Sequence, residues 1–331
     1  MNATRPTMRH VADMAGVSLK TVSRVINAEA GVTPATAERV TAAIAELGFE
    51  RNDLAASLRH GRSSSTLGLV IEDVANPFYS AIAQAVEAAA RDRGFLLITA
   101  SAREDAERER ELVSALLRRR VDALLIVPAG PDHRYLAASA RAVFLDRPPL
   151  GIEADTVLLD DHGGARSAVE HLIAQGHRRI AFLGDRLSVF TATERRAGYR
   201  QALDAARIER APELERTELV DSAAARRATF EILRLEDPPT ALFTGQNLIT
   251  IGAVRALREL GLQWTVAIAG FDDVVLGDLV EPGISVIAQD PYELGRSAGE
   301  LLFNQGPEPR QVVVPTQLIA RGSGEIPPPD R

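Results

Sequence analysis

From Leu67 onward the chain repeats one pattern: a short apolar run, a longer amphipathic stretch, then another apolar run. The runs are LGLVI (67–71), FLLITA (95–100), ALLIV (123–127), AVFLD (142–146), RIAFLG (179–184), ALFTG (241–245) and VAIAGF (266–271). Each is too short for a stable helix and apolar at nearly every position, as a strand covered on both faces must be. Segments 78–93, 107–119, 163–175, 194–206, 222–235 and 248–260 between them carry helical periodicity. Alternation of this kind predicts parallel sheets with helices on both faces. Seven or more strands over about 260 residues suit two such lobes, and ligands of open α/β sheets sit at the carboxyl ends of the strands.

The first 48 residues read instead as three short helices. Thr7 caps a helix through Val11, Met14 and Ala15 that Gly16 ends, and Ser18 caps a second with Val22, Val25 and Ile26 on one face. Thr33-Pro34, a capping residue followed by Pro at the first helical position, opens a third that carries Val40, Ile44 and Leu47 and stops at Gly48. NDLAASLRH (52–60) can form one more short helix capped by Asn52, and GRSSST (61–66) reads as a flexible joint.

The net charge of -7 argues against non-specific nucleic-acid binding, but the average hides an asymmetry. Residues 1–62 hold eight cations against six anions, a balance of +2, which leaves -9 for the rest. Lys20 is the only lysine among 38 cations. It lies in GVSLKTVSRVIN (16–27), the second helix of a helix-turn-helix. Such a helix presents its N-terminal residues to base edges in the major groove. With Val22, Val25 and Ile26 turned inward, Ser18, Leu19, Lys20, Ser23, Arg24 and Asn27 face outward. Lys and Arg can donate to guanine O6 and N7, and Leu19 can touch a thymine methyl. An ordinary helical hairpin with a solvated face has the same spacing.

MRHVADMAGVSLKTVSRVINAEAGVTPATAERVTAAIAELGF, followed by NDLAASLRHGRSSSTLGLVIEDVANPFYSAIAQAVEAAARDRGF, resembles the lactose-repressor/galactose-repressor family of bacterial transcription regulators. The resemblance continues to about residue 323 through LDRPP (145–149), AVEHLIAQGHRRIAFLG (168–184), RRAGYRQAL (195–203) and AGFDD (269–273). It implies a small all-α helix-turn-helix headpiece (1–50), a hinge helix and linker (51–66), and an α/β two-lobed, periplasmic-binding-protein-like domain (67–323) with a short tail (324–331). The N-lobe would comprise about 67–159 and 291–320, the C-lobe about 160–290.

By that resemblance Leu19 and Lys20 select bases, Arg24 contacts a base or phosphate, and Thr7, Thr21, Ser23 and Asn27 touch phosphates that set register. A flexible ammonium can read bases that a planar guanidinium would not; chance retention of one Lys codon is the plainer account of Lys20. Leu58 falls on the hinge leucine that the family wedges into the minor groove. Arg51 stands where the family usually has Pro, which loosens the hinge entry. Effector contacts map onto Asp73, Asn76, Phe78, Tyr79, Arg147, Arg195, Gln246 and Asp272: charged groups for hydroxyls, and an aromatic ring for an apolar sugar or base face. Each of these could also be structural, Asp73 and Asp272 as helix caps, Arg147 in an ion pair and Phe78 in the core. Gln246-Asn247 replaces the commoner Asn-Asp, so the effector's identity does not carry over. HRYLAASARAVF, before LDRPP, is shorter than usual.

The expected protein is therefore a cytoplasmic homodimeric regulator, a repressor, with operator DNA and a small sugar-like or nucleoside-like effector as partners and no cofactor. Zero cysteines exclude thiolate metal sites and cysteine nucleophiles. His162, His171 and His177 show no metal spacing, and GxGxxG is absent after the first strand, which disfavours a dinucleotide enzyme. No apolar run is long enough to span a membrane, and no heptad marks a coiled-coil tetramer. Trp264 is expected to pack at a strand edge. A pure small-molecule binding protein, or an enzyme on the same scaffold, are the competing readings.

Overall fold

The computed structural model describes residues 6–27, 29–49, 64–136, 141–304 and 306–329. Asn52, Leu58 and Arg51 lie outside the described residues. The chain divides into two units, Met1–Ser64 and Ser65–Arg331.

In the first unit, α1 (Met8–Ala15), α2 (Leu19–Ile26) and α3 (Pro34–Leu47) enclose a core of Val11, Ala12, Ala15, Val22, Val40 and Ala43. Val17, Val25, Ile26, Ile44, Leu47 and Phe49 close around it. Gly16 ends α1 at φ 63°, a left-handed turn that a side chain would strain. Met14, expected along α1's apolar face, is 46% exposed; the smaller Ala12 takes the inward position.

In the second unit, β1 (Thr66–Ile71), α4 (Pro77–Arg91), β2 (Leu96–Ser101), α5 (Ala106–Arg118), β3 (Ala123–Ile126), β4 (Ala142–Leu145) and β5 (Asp155–Leu159) build one sheet. The chain then crosses into a second body: α6 (Asp161–Ala174), β6 (Ile180–Leu183), α7 (Phe190–Ala205), β7 (Glu215–Arg216), α8 (Ser222–Ile232), β8 (Ala241–Thr244), α9 (Asn247–Leu260), β9 (Ala267–Phe271) and β10 (Ser285–Ala288). It returns through α10 (Pro291–Phe303) and β11 (Gln311–Val314), and crosses once more to β12 (Gln317–Ile319). The first sheet has the order β11-β5-β4-β3-β1-β2, all parallel; the second is β12-β10-β9-β8-β6-β7, with only β12 antiparallel. Each sheet is buried on both faces, one cluster around Leu69, Leu125 and Leu145 and another around Val70, Leu124 and Phe144 in the first lobe. Phe182, Phe243 and Phe271 on one side, and Leu183, Leu242 and Ile268 on the other, do the same in the second.

Each of the seven apolar runs contains a strand, but they differ in cover. β2 is an edge strand with Leu96 65% exposed, because an apolar run does not tell an edge position from a central one. Trp264, expected to pack at a strand edge, is 57% exposed in the turn before β9. Residues 324–329 lie along the second lobe: the Glu325 carboxylate meets His171 Nε2 and accepts from Ser285 Oγ, and His177 Nε2 donates to the Ile326 carbonyl at 2.8 Å.

The second lobe's helices pair at contact distance through glycine. A Cβ on Gly198 of α7 would overlap the His162 carbonyl oxygen of α6, and one on Gly252 of α9 would overlap the Ser222 carbonyl oxygen of α8. Both listeners are backbone atoms that cannot rotate away. Gly198→Ala should therefore cost about 1–3 kcal/mol, read as a lowered melting temperature of the full chain; an unchanged melting temperature would show that α6 and α7 can separate freely.

Candidate functional site

Two places gather the expected residues. On α2, the Ser18 hydroxyl accepts the Thr21 N–H at 3.2 Å and lies 2.9 Å from the Thr21 hydroxyl, fixing the helix start. Val22 is fully buried one turn on, so Ser18, Leu19 and Lys20 are held outward, Leu19 at 45% exposure. An apolar side chain that exposed, beside the chain's sole ammonium, suits a surface to be covered. Thr21, Ser23, Arg24 and Asn27 are half-buried. Asn27 Nδ2 donates to Ser23 Oγ and to Glu29 Oε1, both at 3.3 Å, so these two expected phosphate contacts also brace the helix end. Thr7 accepts the His10 N–H at 3.5 Å, and His10 Nδ1 accepts the Thr7 N–H at 3.2 Å, a reciprocal cap on α1.

The second place is a cleft where the carboxyl ends of both sheets meet. Of the eight residues expected there, Asn76, Phe78, Tyr79, Arg147, Arg195, Gln246 and Asp272 line it. Asp73 does not; its carboxylate accepts the Ala75 N–H at 2.9 Å and shapes the turn before α4. Glu72, one residue earlier, lines the cleft instead, with Glu104, Asp146, Asp185 and Thr191. Sequence reasoning named none of these five, yet Glu72 and Asp146 directly follow β1 and β4, and the rule that ligands gather at strand ends points to them.

Two buried arginines organise the walls. Arg147 forks onto Glu104 at 2.6 and 2.8 Å and donates to the Pro128 carbonyl at 3.1 Å. Tyr79 donates to Asp146 Oδ2 at 3.2 Å and accepts from Arg147 at 3.3 Å. In the other lobe Arg195 donates to Asp161 at 2.7 Å and to the Gly245 carbonyl at 2.8 Å, with its guanidinium 3.9 Å above the Phe271 ring. Asp146 and Asp272, at the ends of β4 and β9, adopt left-handed φ of 66° and 67°. Asp272 accepts the Asn247 N–H at 3.2 Å and the Gln289 side-chain amide, while Gln246 donates to Asp185 at 2.8 Å. Across the cleft, Asn247 Nδ2 of the second lobe donates to Asn76 Oδ1 of the first at 3.0 Å. The space left is about 40 Å³, whereas small-molecule sites run to roughly 300 Å³ or more. Admitting a ligand of sugar size requires the lobes to part or side chains to turn.

A sequence model described as "Bacterial regulatory proteins, lacI family" matches residues 7–52, and one described as "Periplasmic binding protein-like domain" matches residues 169–324. The HTH-type transcriptional regulator CelR of Thermobifida fusca is 34% identical over 97% of this chain and 98% of its own. The chain belongs to the LacI family of bacterial regulatory proteins. The ribose operon repressor of Escherichia coli (strain K12) is 31% identical over 96% of this chain and 99% of its own. Among solved structures, the lac repressor dimer bound to operator and the anti-inducer ONPF superposes with a TM-score of 0.84 at 29% identity, covering 97% of this chain and 99% of that one. This LacI-family protein is thus a DNA-binding transcriptional regulator and not an enzyme. Among the described residues no group of His, Asp and Glu is arranged to hold a metal ion, and no helix is long and apolar enough to cross a membrane.

Burial, then the Glu104 charge, lifts the Glu72 carboxyl from its ordinary 4.5 to about 7. The folded protein therefore keeps a proton that the unfolded chain releases near 4.5. This contribution to stability is complete below that pH and is lost as pH rises through about 7. Glu72→Gln should accordingly gain in melting temperature over the parent as pH rises from about 5 to about 8. Parallel melting curves for the two proteins across that range would contradict the burial of Glu72.

Proposed function

We propose that this regulator is a repressor that binds a pseudo-palindromic operator as a homodimer and is controlled by a sugar-like effector held between its two lobes. The observation that carries the reading is the pairing, in one chain, of a helix whose outward start is Ser18-Leu19-Lys20 with a cleft whose polar groups converge from both sheets. Leu19 and Lys20 read bases, Arg24 adds a base or phosphate contact, and Thr7, Thr21, Ser23 and Asn27 set register on the phosphates. One headpiece reads one half-site, so a two-fold dimer reads two. Residues 1–50 would be the headpiece, 51–66 the hinge carrying Asn52 and Leu58, and 67–323 the effector domain.

The lobes are joined by three chain crossings, after β5, after β10 and between β11 and β12. An effector seated on Asn76, Phe78, Tyr79, Arg147, Arg195, Gln246 and Asp272 favours one angle between them. It shifts the DNA-binding equilibrium only by its difference in affinity for the two angles. That one relative is named for the ribose operon, and that the solved CelR structure is a complex with cellobiose, supports a carbohydrate as the class of ligand.

Selection from a randomised DNA library at fixed salt tests the reading directly. The expected outcome is enrichment of a palindrome, lost on deleting residues 1–62; retention of the same sequences after that deletion would refute it. Lys20→Arg sharpens the test. Preference should change at one symmetric pair of positions by about 1–3 kcal/mol per contact, whereas a uniform weakening across sequences would make Lys20 a phosphate contact.

A further inference from the structure

The charge in the effector cleft is unbalanced. Its lining holds five carboxylates, Glu72, Glu104, Asp146, Asp185 and Asp272, against the guanidiniums of Arg147 and Arg195. Both guanidiniums are committed, Arg147 to Glu104 and Arg195 to Asp161. Asp185 accepts from Gln246 and lies 3.5 Å from Arg186 Nε, outside the lining, and Asp272 accepts from Asn247 and Gln289 and lies 3.7 Å from the already paired Arg195, so each is only partly countered. Asp146 is 2% exposed; its Oδ2 accepts from Tyr79 and lies 3.4 Å from Arg147 Nε, while its Oδ1 has no hydrogen-bond partner among the described residues. A buried carboxylate oxygen without a donor, among other carboxylates, is a site built for a donor that is also positive.

We propose that the effector is an amine-bearing polyol, an amino sugar in size and character, whose ammonium group lies among Glu72, Asp146 and Asp185 and donates to Asp146 Oδ1. This rests on the reading of the cleft as the effector site. Glu72 and Asp146 belong to the first lobe and Asp185 to the second, so one cation between them draws the lobes together. Phe78, half-buried and edge-on to Tyr79 at 5.0 Å, offers an aromatic wall that suits a sugar face and tolerates a cation. The same surplus repels sugar phosphates and sugar acids. Burial first, and the Glu104 charge next, hold the Glu72 proton to about pH 7, with Arg147 opposing and Asp185 and Asp73 adding, so the surplus strengthens what burial begins. An ammonium among these groups replaces that proton, whereas a neutral sugar leaves it in place.

Calorimetric titration of the full chain with matched pairs tests the proposal: glucosamine with glucose, galactosamine with galactose, and mannosamine with mannose, each in two amine-free buffers of different ionisation heat. The expected result is at least one amine that binds about tenfold or more tighter than its neutral partner, with net proton release and a rising affinity between about pH 6 and about pH 7, below the pH at which the sugar's own ammonium is lost. Glu72→Gln should bring that pair to within about twofold by weakening the amine alone. Neutral sugars that bind as tightly as their amines, or no binding of any amine by protein that still binds its operator, would overturn the proposal. A bound sugar that responds to Phe78→Ala but not to Glu72→Gln would leave the cleft as the effector site and remove only the amine. Indifference to both variants would remove the cleft reading as well.

Discussion

Burying a guanidinium is tolerable only where its charge is met and most of its donors are bonded, and Arg147 in one lobe and Arg195 in the other are buried on those terms. Arg147, 7% exposed, ties the end of β4 to the turn after β2 through Glu104 and to the segment after β3 through Pro128. Arg195, 5% exposed, ties α7 to the start of α6 through Asp161 and to the end of β8 through Gly245, with Phe271 of β9 beneath it. The strand ends that form the cleft are thereby cross-linked within each lobe by a charged side chain rather than by apolar packing. Packing dominates below, in the sheet cores, where no such partner is needed.

This division explains what could be read from the sequence. The strands and their helices were legible because burial on both faces leaves uninterrupted apolar runs. β5, β7, β10, β11 and β12 are not marked by such runs, since polar residues interrupt or flank each of them; Asp155 at the start of β5 is itself buried, accepting the Arg310 N–H at 2.8 Å. The cleft was legible only by resemblance, and only in part. Resemblance supplied Arg147 and Arg195 but not Glu104 and Asp161, the acids that permit their burial. Those partners are set by long-range pairing, at sequence separations of 43 and 34, which no local pattern reports.

The headpiece shows the opposite balance. Its core is six small or medium aliphatic residues, so much of its definition comes from caps: Thr7 with His10, Ser18 with Thr21, and glycines in left-handed turns at Gly16 and Gly48. Caps are local and therefore legible. A unit with so little apolar burial draws a larger share of its stability from such ends, and the residues that end α2 are also those assigned to phosphate contacts. Ser23 can hold the helix and hold DNA because its hydroxyl accepts from Asn27 and keeps its own O–H to donate, whereas Asn27 uses both amide hydrogens on Ser23 and Glu29 and has to release one to reach a phosphate.

The two lobes touch the same ligand space with unlike chemistry, and that difference is what makes a ligand informative. Asn76 caps α4 in one lobe and Asn247 opens α9 in the other, so the hydrogen bond from Asn247 to Asn76 joins two helix starts. Neutral and unassisted by charge, it contributes on the order of 1 kcal/mol. A contact that weak cannot set the angle of the lobes against a ligand that meets buried carboxylates on both sides, because charge-assisted hydrogen bonds are about twice as strong and more of them form at once. On the proposed reading of the cleft as the effector site, the ligand, and not the Asn247–Asn76 bond, decides how the lobes stand.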